Sequence, residues 1–417
     1  MSGAHIVVHY HELWLKGGNR DFFLHKLRLA MKRALEGLRV ARIVQPGDRY
    51  VIELIDAAEL SEALVRLSRV FGIANLAVAR SLDRAETAAA ADPLEPLQRA
   101  AWEEVRGEKF STFAVRAKRS DKRFPLSVLT IEREVGGYLH DQLHAAGNPV
   151  RVNLSKPELT CRIEITPGPI LIYGRRIAGA GGLPTGTAGR LTCLLSGGFD
   201  SAVAAYKMMK RGAHASFVHF WGGGADPGES SVHVARELVK RLTPWQFTSK
   251  LYLVPFEPLQ REIVRLAPEQ YRILLYRRLM LRIATRIALR QRSKGLITGD
   301  SLGQVASQTL QNMAAVGAAT IMPLYRPLAG DDKLEIIALA EKIGTHDISA
   351  EPFHDCCPVF LPKAPALFAD ARELDEAEKG MDIEELVRRG LKDFRIERFR
   401  YENGKVIQAE AERKTLA

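Results

Sequence analysis

The chain has 417 residues and a formal net charge of +11; 46% of residues are hydrophobic and 26% charged. That is enough apolar material for two or three domains with cores of their own, and the basic balance suits either a partner with a phosphate backbone or a merely solvated surface. Four cysteines do not make a disulfide framework in so long a chain, no apolar run reaches the length of a bilayer span, and the N-terminus lacks the pattern of a signal peptide, so a cytoplasmic protein without a membrane segment is expected.

In chain order, residues 1–60 read strand, helix, strand: Ala4 to His9, Arg20 to Leu38 and Tyr50 to Leu54. Phe23, Leu27, Ala30, Ala34 and Leu38 give the middle segment its helical spacing. This order predicts a small ferredoxin-like unit. Residues 61–165 form a second unit with helices at Leu60 to Val70 and Ile131 to Leu143, and strands at Phe113 to Arg116, Val150 to Leu154 and Cys161 to Ile165. It carries the densest basic cluster of the chain, Arg116, Lys118, Arg119, Lys122 and Arg123, with Phe110, Phe113 and Phe124 interleaved. Basic residues beside aromatics fit an RNA-binding face, and a solvated loop is the alternative.

Residues 166–188 are rich in Gly and Pro and read as a linker. Strands and helices then alternate over 189–366, which predicts a doubly wound parallel sheet. Residues 367–417 read as a charged helical tail without a core of its own.

Four stretches carry chemistry. In LLSGGFDSAVAAYKMMKRG an apolar strand feeds the turn Ser196-Gly197-Gly198, and a helix follows, capped near Asp200 and Ser201. Glycines let a ligand approach the backbone, and the free N–H groups of a helix start attract an anion. The GxxxxGK[ST] pattern of the common phosphate loop is absent. TGDSLGQVASQTLQNM, Thr298 to Met313, follows a strand that ends at the same sheet edge, which suits a nucleotide-contacting loop. In YRRLMLRIATRIALRQR, Arg278, Arg282, Arg286 and Arg290 recur every four residues along one helical face; a solvated face or docking on an RNA backbone would both explain it. Arg277 lies one position off that stripe. EPFHDCCPVFLPKAP holds adjacent Cys356 and Cys357 near His354 and Lys363, where a thiolate could carry sulfur. No CxxC spacing occurs, so a zinc ribbon or a chelated cluster has no obvious ligand set and no metal held by cysteines is expected.

SGGFDS matches the PP-loop of ATP pyrophosphatases. Together with YHELWLKGGNRDFF, FAVRAKRSDKRFPLSVLTIEREVGG, GAGGLPTGTAG, TGDSLGQVASQTL, RPLAGDDKLEI and DCCPVFLPKAP, it resembles the tRNA 4-thiouridine synthase family, also called ThiI, over residues 5–366. The resemblance implies a THUMP domain over 61–165 that binds tRNA, and a PP-loop domain that binds ATP. It implies that Leu194, Leu195, His219, Phe220, Arg277, Gly299 and Gln308 contact ATP around the phosphate turn of Ser196, Gly197, Gly198 and Ser201. Asp200 would help hold Mg²⁺ and pyrophosphate, Lys333 would be needed for activity, and Cys356 would take part in sulfur transfer. The implied reaction adenylates uridine 8 of tRNA and replaces O4 with persulfide sulfur. A cysteine desulfurase would be the donor, a thiamine-pathway sulfur carrier protein a second acceptor, and a homodimer is allowed. No rhodanese segment is expected after Pro365. The alternatives are a 2-thiouridine or lysidine synthetase, or an RNA-binding protein with a dead nucleotide domain.

Overall fold

The computed structural model describes residues 4–10, 12–222, 231–350, 364–392 and 394–414. The chain divides into two compact units, residues 1–182 and 183–417.

The first unit opens with β1 (Ala4–His9), α1 (Arg20–Ala34), β2 (Val40–Val44), β3 (Tyr50–Leu54), α2 (Leu60–Ser68) and β4 (Asn75–Leu82). It continues with α3 (Arg84–Ala89), α4 (Leu94–Val105), β5 (Thr112–Arg119), α5 (Val128–Ala145), β6 (Arg151–Val152), β7 (Leu159–Ile165), β8 (Ile170–Tyr173) and β9 (Ile177–Ala178). One sheet runs through both halves in the order β2-β3-β1-β4-β8-β7-β5-β6, with β9 beside β4. Strand β4 pairs antiparallel with β1, Ile6 opposite Val78, so the ferredoxin-like half extends past the expected limit at residue 60. The expected linker also contributes structure. Ile170–Tyr173 is buried throughout and pairs with both β7 and β4; an apolar run this short between Gly and Pro residues is easily taken for loop.

The second unit comprises β10 (Arg190–Leu194), α6 (Phe199–Lys210), β11 (His214–Trp221), α7 (Ser231–Gln246), β12 (Thr248–Pro255), α8 (Glu257–Leu266), α9 (Arg272–Arg290) and β13 (Leu296–Ile297). Then follow α10 (Leu310–Gly317), β14 (Leu324–Tyr325), α11 (Lys333–Ile343), α12 (His346–Ala350), α13 (Ala371–Glu378), α14 (Ile383–Gly390), β15 (Phe394–Glu402) and β16 (Lys405–Lys414). The sheet order is β14-β13-β10-β11-β12-β15-β16. The first five are parallel, as the alternation predicts, and the last two are antiparallel. The order reverses beside β10, so a crevice opens where the C-terminal ends of β10 and β13 diverge.

The expected helical tail is corrected here. After α13 and α14 the chain returns as a hairpin, with Leu253 opposite Arg395 and Thr248 opposite Arg400. Asn403 and Gly404 make the turn with φ of 51° and 81°, a conformation that Asn-Gly adopts at little cost. Leu374, Leu386, Phe394 and Ile396 are buried in the core that also holds Val254, Leu279 and Ile283. Each such side chain removed from water contributes roughly 1.5–3 kcal/mol, so this segment stabilises the sheet that it completes. Among the described residues no helix is long and apolar enough to cross a membrane.

Candidate functional site: a nucleotide crevice at the divergence of β10 and β13

The PP-loop leaves β10 at Leu194 and enters α6 through Gly198, whose extended backbone (φ −76°, ψ 149°) serves as N-cap. No side chain caps this helix, so its first N–H groups face the crevice as donors for an anion. The turn is held from within. The Ser201 hydroxyl accepts from the Ser196 N–H at 3.1 Å and donates to the Gly198 carbonyl at 3.1 Å. His219, buried on β11, lies with Nδ1 2.8 Å from the Leu195 carbonyl and Nε2 2.9 Å from the Ser231 hydroxyl. A carbonyl only accepts, so Nδ1 carries the proton. His219 therefore fixes the strand end that launches the turn. Phe220 is 5% exposed and packs edge-on against Phe256, centroids 5.2 Å apart; Leu195 is buried and Leu194 half-buried.

Asp200 stands in the first turn of α6. Lys333 Nζ donates to its two carboxylate oxygens at 3.0 and 3.3 Å, and Gln304 adds a bond of 3.1 Å. Lys333 is the first residue of α11, whose start is set by a capping box between Asp332 and Glu335. Its ammonium also sits 4.4 Å from the centre of the Phe199 ring. Asp200 and Lys333, expected separately, thus form one ion pair beside the phosphate turn.

Gly299 follows β13 and abuts the start of α6. A Cβ there would lie 2.6 Å from Ser201 N and 2.8 Å from Ser201 Cα. Backbone cannot yield to that, so this position requires glycine for the approach of two loops.

Asp300, next in sequence, was not singled out from the sequence. It is 4% exposed. Thr298 donates a hydroxyl to its Oδ2 at 2.8 Å, Arg326 Nε lies 3.3 Å from Oδ2, and Arg277 pairs with Oδ1. Burial alone would raise its pKa, but Arg277, the Thr298 hydroxyl and Arg326 together hold the carboxyl below its ordinary value. Arg277 also donates to the Ser307 carbonyl at 2.9 Å, and Gln308 Nε2 lies 3.5 Å from Asp300 Oδ1. Gln308 Oε1 is buried without a hydrogen-bond partner. The signal that could have found Asp300 is its place, an acidic residue directly after a strand at the crevice.

Two of the arginines expected on an RNA face are elsewhere. Arg278 is 2% exposed; its guanidinium bonds Glu378 at 3.0 and 2.9 Å and the Ala315 carbonyl at 3.0 Å. Arg282 donates twice to Glu378, both at 2.7 Å. They clamp α9 to α13 and are not a docking stripe; a period of four also occurs where a charged helix covers that face.

In the first unit the basic cluster is only partly a free surface. Arg119 donates to the carbonyls of Phe124 and Leu126 at 3.1 and 2.8 Å, holding the loop after β5. Arg116 donates to the Leu154 carbonyl at 2.6 Å, Lys118 pairs with Asp48, and Arg123 bonds Asp121 twice at 3.0 Å. Lys122 is exposed. Phe110, Phe113 and Phe124 are 9%, 1% and 2% exposed, so they are core residues and not stacking platforms.

Cys356, with Cys357, His354 and Lys363, lies outside the described residues. Cys161 and Cys193 are buried; burial pushes the thiol of Cys161 up to about 12 and that of Cys193 up as well, which leaves both inert. Among the described residues no three His, Cys, Asp or Glu are grouped to hold a metal ion.

Residues 186–383 match the family described as thiamine biosynthesis protein (ThiI), residues 5–77 the ThiI ferredoxin-like domain and residues 95–174 the THUMP domain. The protein named probable tRNA sulfurtransferase of Thermus thermophilus is 41% identical over 391 residues, covering 94% of this chain and 93% of that one. The chain belongs to the ThiI family. The corresponding protein of Moorella thermoacetica is 38% identical, covering 94% of this chain and 96% of its own. A crystal structure of a 4-thiouridine synthetase–RNA complex with bound ATP superposes with a TM-score of 0.82 at 30% identity, covering 95% of this chain and 99% of that one. The ferredoxin-like, THUMP and PP-loop domains of this ThiI chain therefore stand in the order that the motifs implied.

Proposed function

We propose that this chain is an ATP-dependent tRNA sulfurtransferase that adenylates uridine 8 and replaces its O4 with sulfur, giving 4-thiouridine. The observation that carries the reading is the uncapped start of α6 at the divergence of β10 and β13, with the Asp200–Lys333 pair beside it. The N–H groups suit the β- and γ-phosphates, and Lys333 supplies positive charge as pyrophosphate departs. Gln308 Oε1, buried and unpartnered, fits a nucleotide that brings a donor. Asp200 is the carboxylate that would reach a Mg²⁺ carried by the phosphates, since Mg²⁺ takes few protein ligands when phosphate supplies the others.

In this reaction O4 attacks the α-phosphate and pyrophosphate leaves. The outer sulfur of the persulfide then attacks C4 and AMP departs, adenylation having made the oxygen a good leaving group; a further thiol, as reductant, attacks the inner sulfur, breaks the S–S bond and is left in a disulfide as 4-thiouridine is released. Two described cysteines are buried and inert, which supports Cys356 or Cys357 as the bearer of persulfide sulfur from a cysteine desulfurase. The family's description as a thiamine biosynthesis protein supports a second outlet, a sulfur carrier protein.

The test is ATP–pyrophosphate exchange with unmodified tRNA, together with mass spectrometry of tRNA nucleosides from a deletion strain. Wild type exchanges label and restores 4-thiouridine. Asp200→Ala and Lys333→Ala lose exchange by at least about a hundredfold, whereas Cys356→Ser keeps exchange and loses the thionucleoside. Wild-type protein that is folded yet exchanges nothing would refute the reading.

A further inference from the structure

We infer that Asp300 is a positioning residue for base recognition: it orients the Gln308 amide so that the site reads an exocyclic amine and rejects a carbonyl at the same place. The inference rests on the nucleotide reading above and deepens it.

An ionised carboxylate accepts hydrogen bonds and donates none. Asp300 is held ionised by two guanidinium groups and a hydroxyl, so the amide end of Gln308 that faces it, 3.5 Å away, must be the NH2. That choice leaves Oε1 on the other side, buried and without a partner. A buried acceptor with no donor is costly, and a ligand donor there recovers that cost. The 6-amino group of adenine is such a donor. The 6-carbonyl of hypoxanthine or guanine would set oxygen against oxygen, and Gln308 could not rotate to meet it without turning its own carbonyl onto the Asp300 carboxylate.

Asp300 also fixes the loop that carries Gln308. It holds Arg277, which in turn holds the Ser307 carbonyl. The Gln308 N–H donates to the Val305 carbonyl at 2.8 Å, and the Gln308 carbonyl accepts from Gly303 N–H at 2.9 Å, so the backbone around the amide is closed on itself. One carboxylate between two arginines further leaves a net positive charge beside the crevice, in keeping with a polyanionic ligand.

The measurement is calorimetric binding of ATP and of ITP, its 6-carbonyl analogue, to the full chain. Wild type binds ATP at least about tenfold more tightly than ITP, the factor that one satisfied against one opposed hydrogen bond provides. In Asp300→Asn, whose side chain can donate, the Gln308 amide is free to turn and the ATP-to-ITP ratio falls toward one. Gln308→Met gives the same collapse with Asp300 intact. Should Asp300→Asn alone fail to fold, the double variant Asp300→Asn/Arg326→Gln restores the local charge balance and is read in the same way. A ratio that stays at the wild-type value in the Asp300 variants, whatever their melting temperatures, overturns the inference, as does wild type that binds both nucleotides equally. Wild type that binds neither nucleotide overturns the proposed function and this inference with it.

Discussion

His9 lies at the end of β1 with Nε2 3.2 Å from the Tyr173 hydroxyl and 3.4 Å from the Glu164 carboxylate. Burial, with Arg176 and Arg49 nearby, pushes its pKa down to about 3, so the contact with Glu164 is a hydrogen bond of a neutral ring and Arg49 neutralises that carboxylate instead. The sign follows from proton uptake. Between pH 6.5 and about 3 the unfolded chain protonates at His9 while the folded chain does not, so stability falls as pH falls, by about 1.4 kcal/mol per pH unit once both limits are well separated. The difference in unfolding free energy between wild type and His9→Gln, followed by denaturant titration from pH 7 to pH 4, should slope in that direction; a flat difference contradicts it. Residue by residue, the phosphate turn was legible because SGGFDS is a local pattern, whereas Lys333 came only from the family resemblance and its pairing with Asp200 was not legible, because it joins segments 133 positions apart. Asp300 was not, because its importance comes from Arg277 and Arg326, which reach it from distant segments.

At the scale of elements, α9 and α13 are joined through Glu378, which is 7% exposed and accepts from Arg278 and Arg282. Removing one partner of a buried pair leaves the other charge desolvated and unmatched, at about 3–5 kcal/mol. Glu378→Ala should therefore lower the urea midpoint strongly. Asp375→Ala, whose carboxylate is 63% exposed, should cost no more than about 1 kcal/mol. The helical period of the arginines on α9 was readable, but period alone does not say whether water or another helix covers the face. The final hairpin was readable in principle. Phe394, Ile396, Phe399 and Tyr401 are buried, with charged residues between them, and Asn403-Gly404 marks the turn. The density of charge masked a strand that alternates nearly every second residue.

At the scale of the whole molecule, the charge of +11 makes the proposed tRNA binding a matter of counterion release. With three or more phosphates neutralised, the logarithm of affinity should fall with the logarithm of salt with a slope of about −2 or steeper. Lys122→Ala, removing an exposed charge, should flatten that slope by about one without changing the melting temperature. Arg119→Ala should instead destabilise the first unit, since it frees the loop carbonyls of Phe124 and Leu126. Filter binding at graded salt and thermal unfolding separate the two. The domain order was legible from motifs spread along the chain. The division at residue 182 was less so, because β8 and β9 lie inside a stretch whose glycines and prolines suggest a tether.

The pairing of Leu251 with Glu397 bears on how a ribosome delivers this protein. The glycine turn, its helix and all the parallel strands emerge well before the strand that covers the outer flank of β12. In that interval the nascent polypeptide displays a bare row of amide and carbonyl groups, the kind of edge on which unfinished chains adhere to one another. Translation arrested after residue 390 would release a product that has the nucleotide crevice residues yet lacks its closing strands, and such a product should accumulate in inclusion bodies or be captured by chaperones.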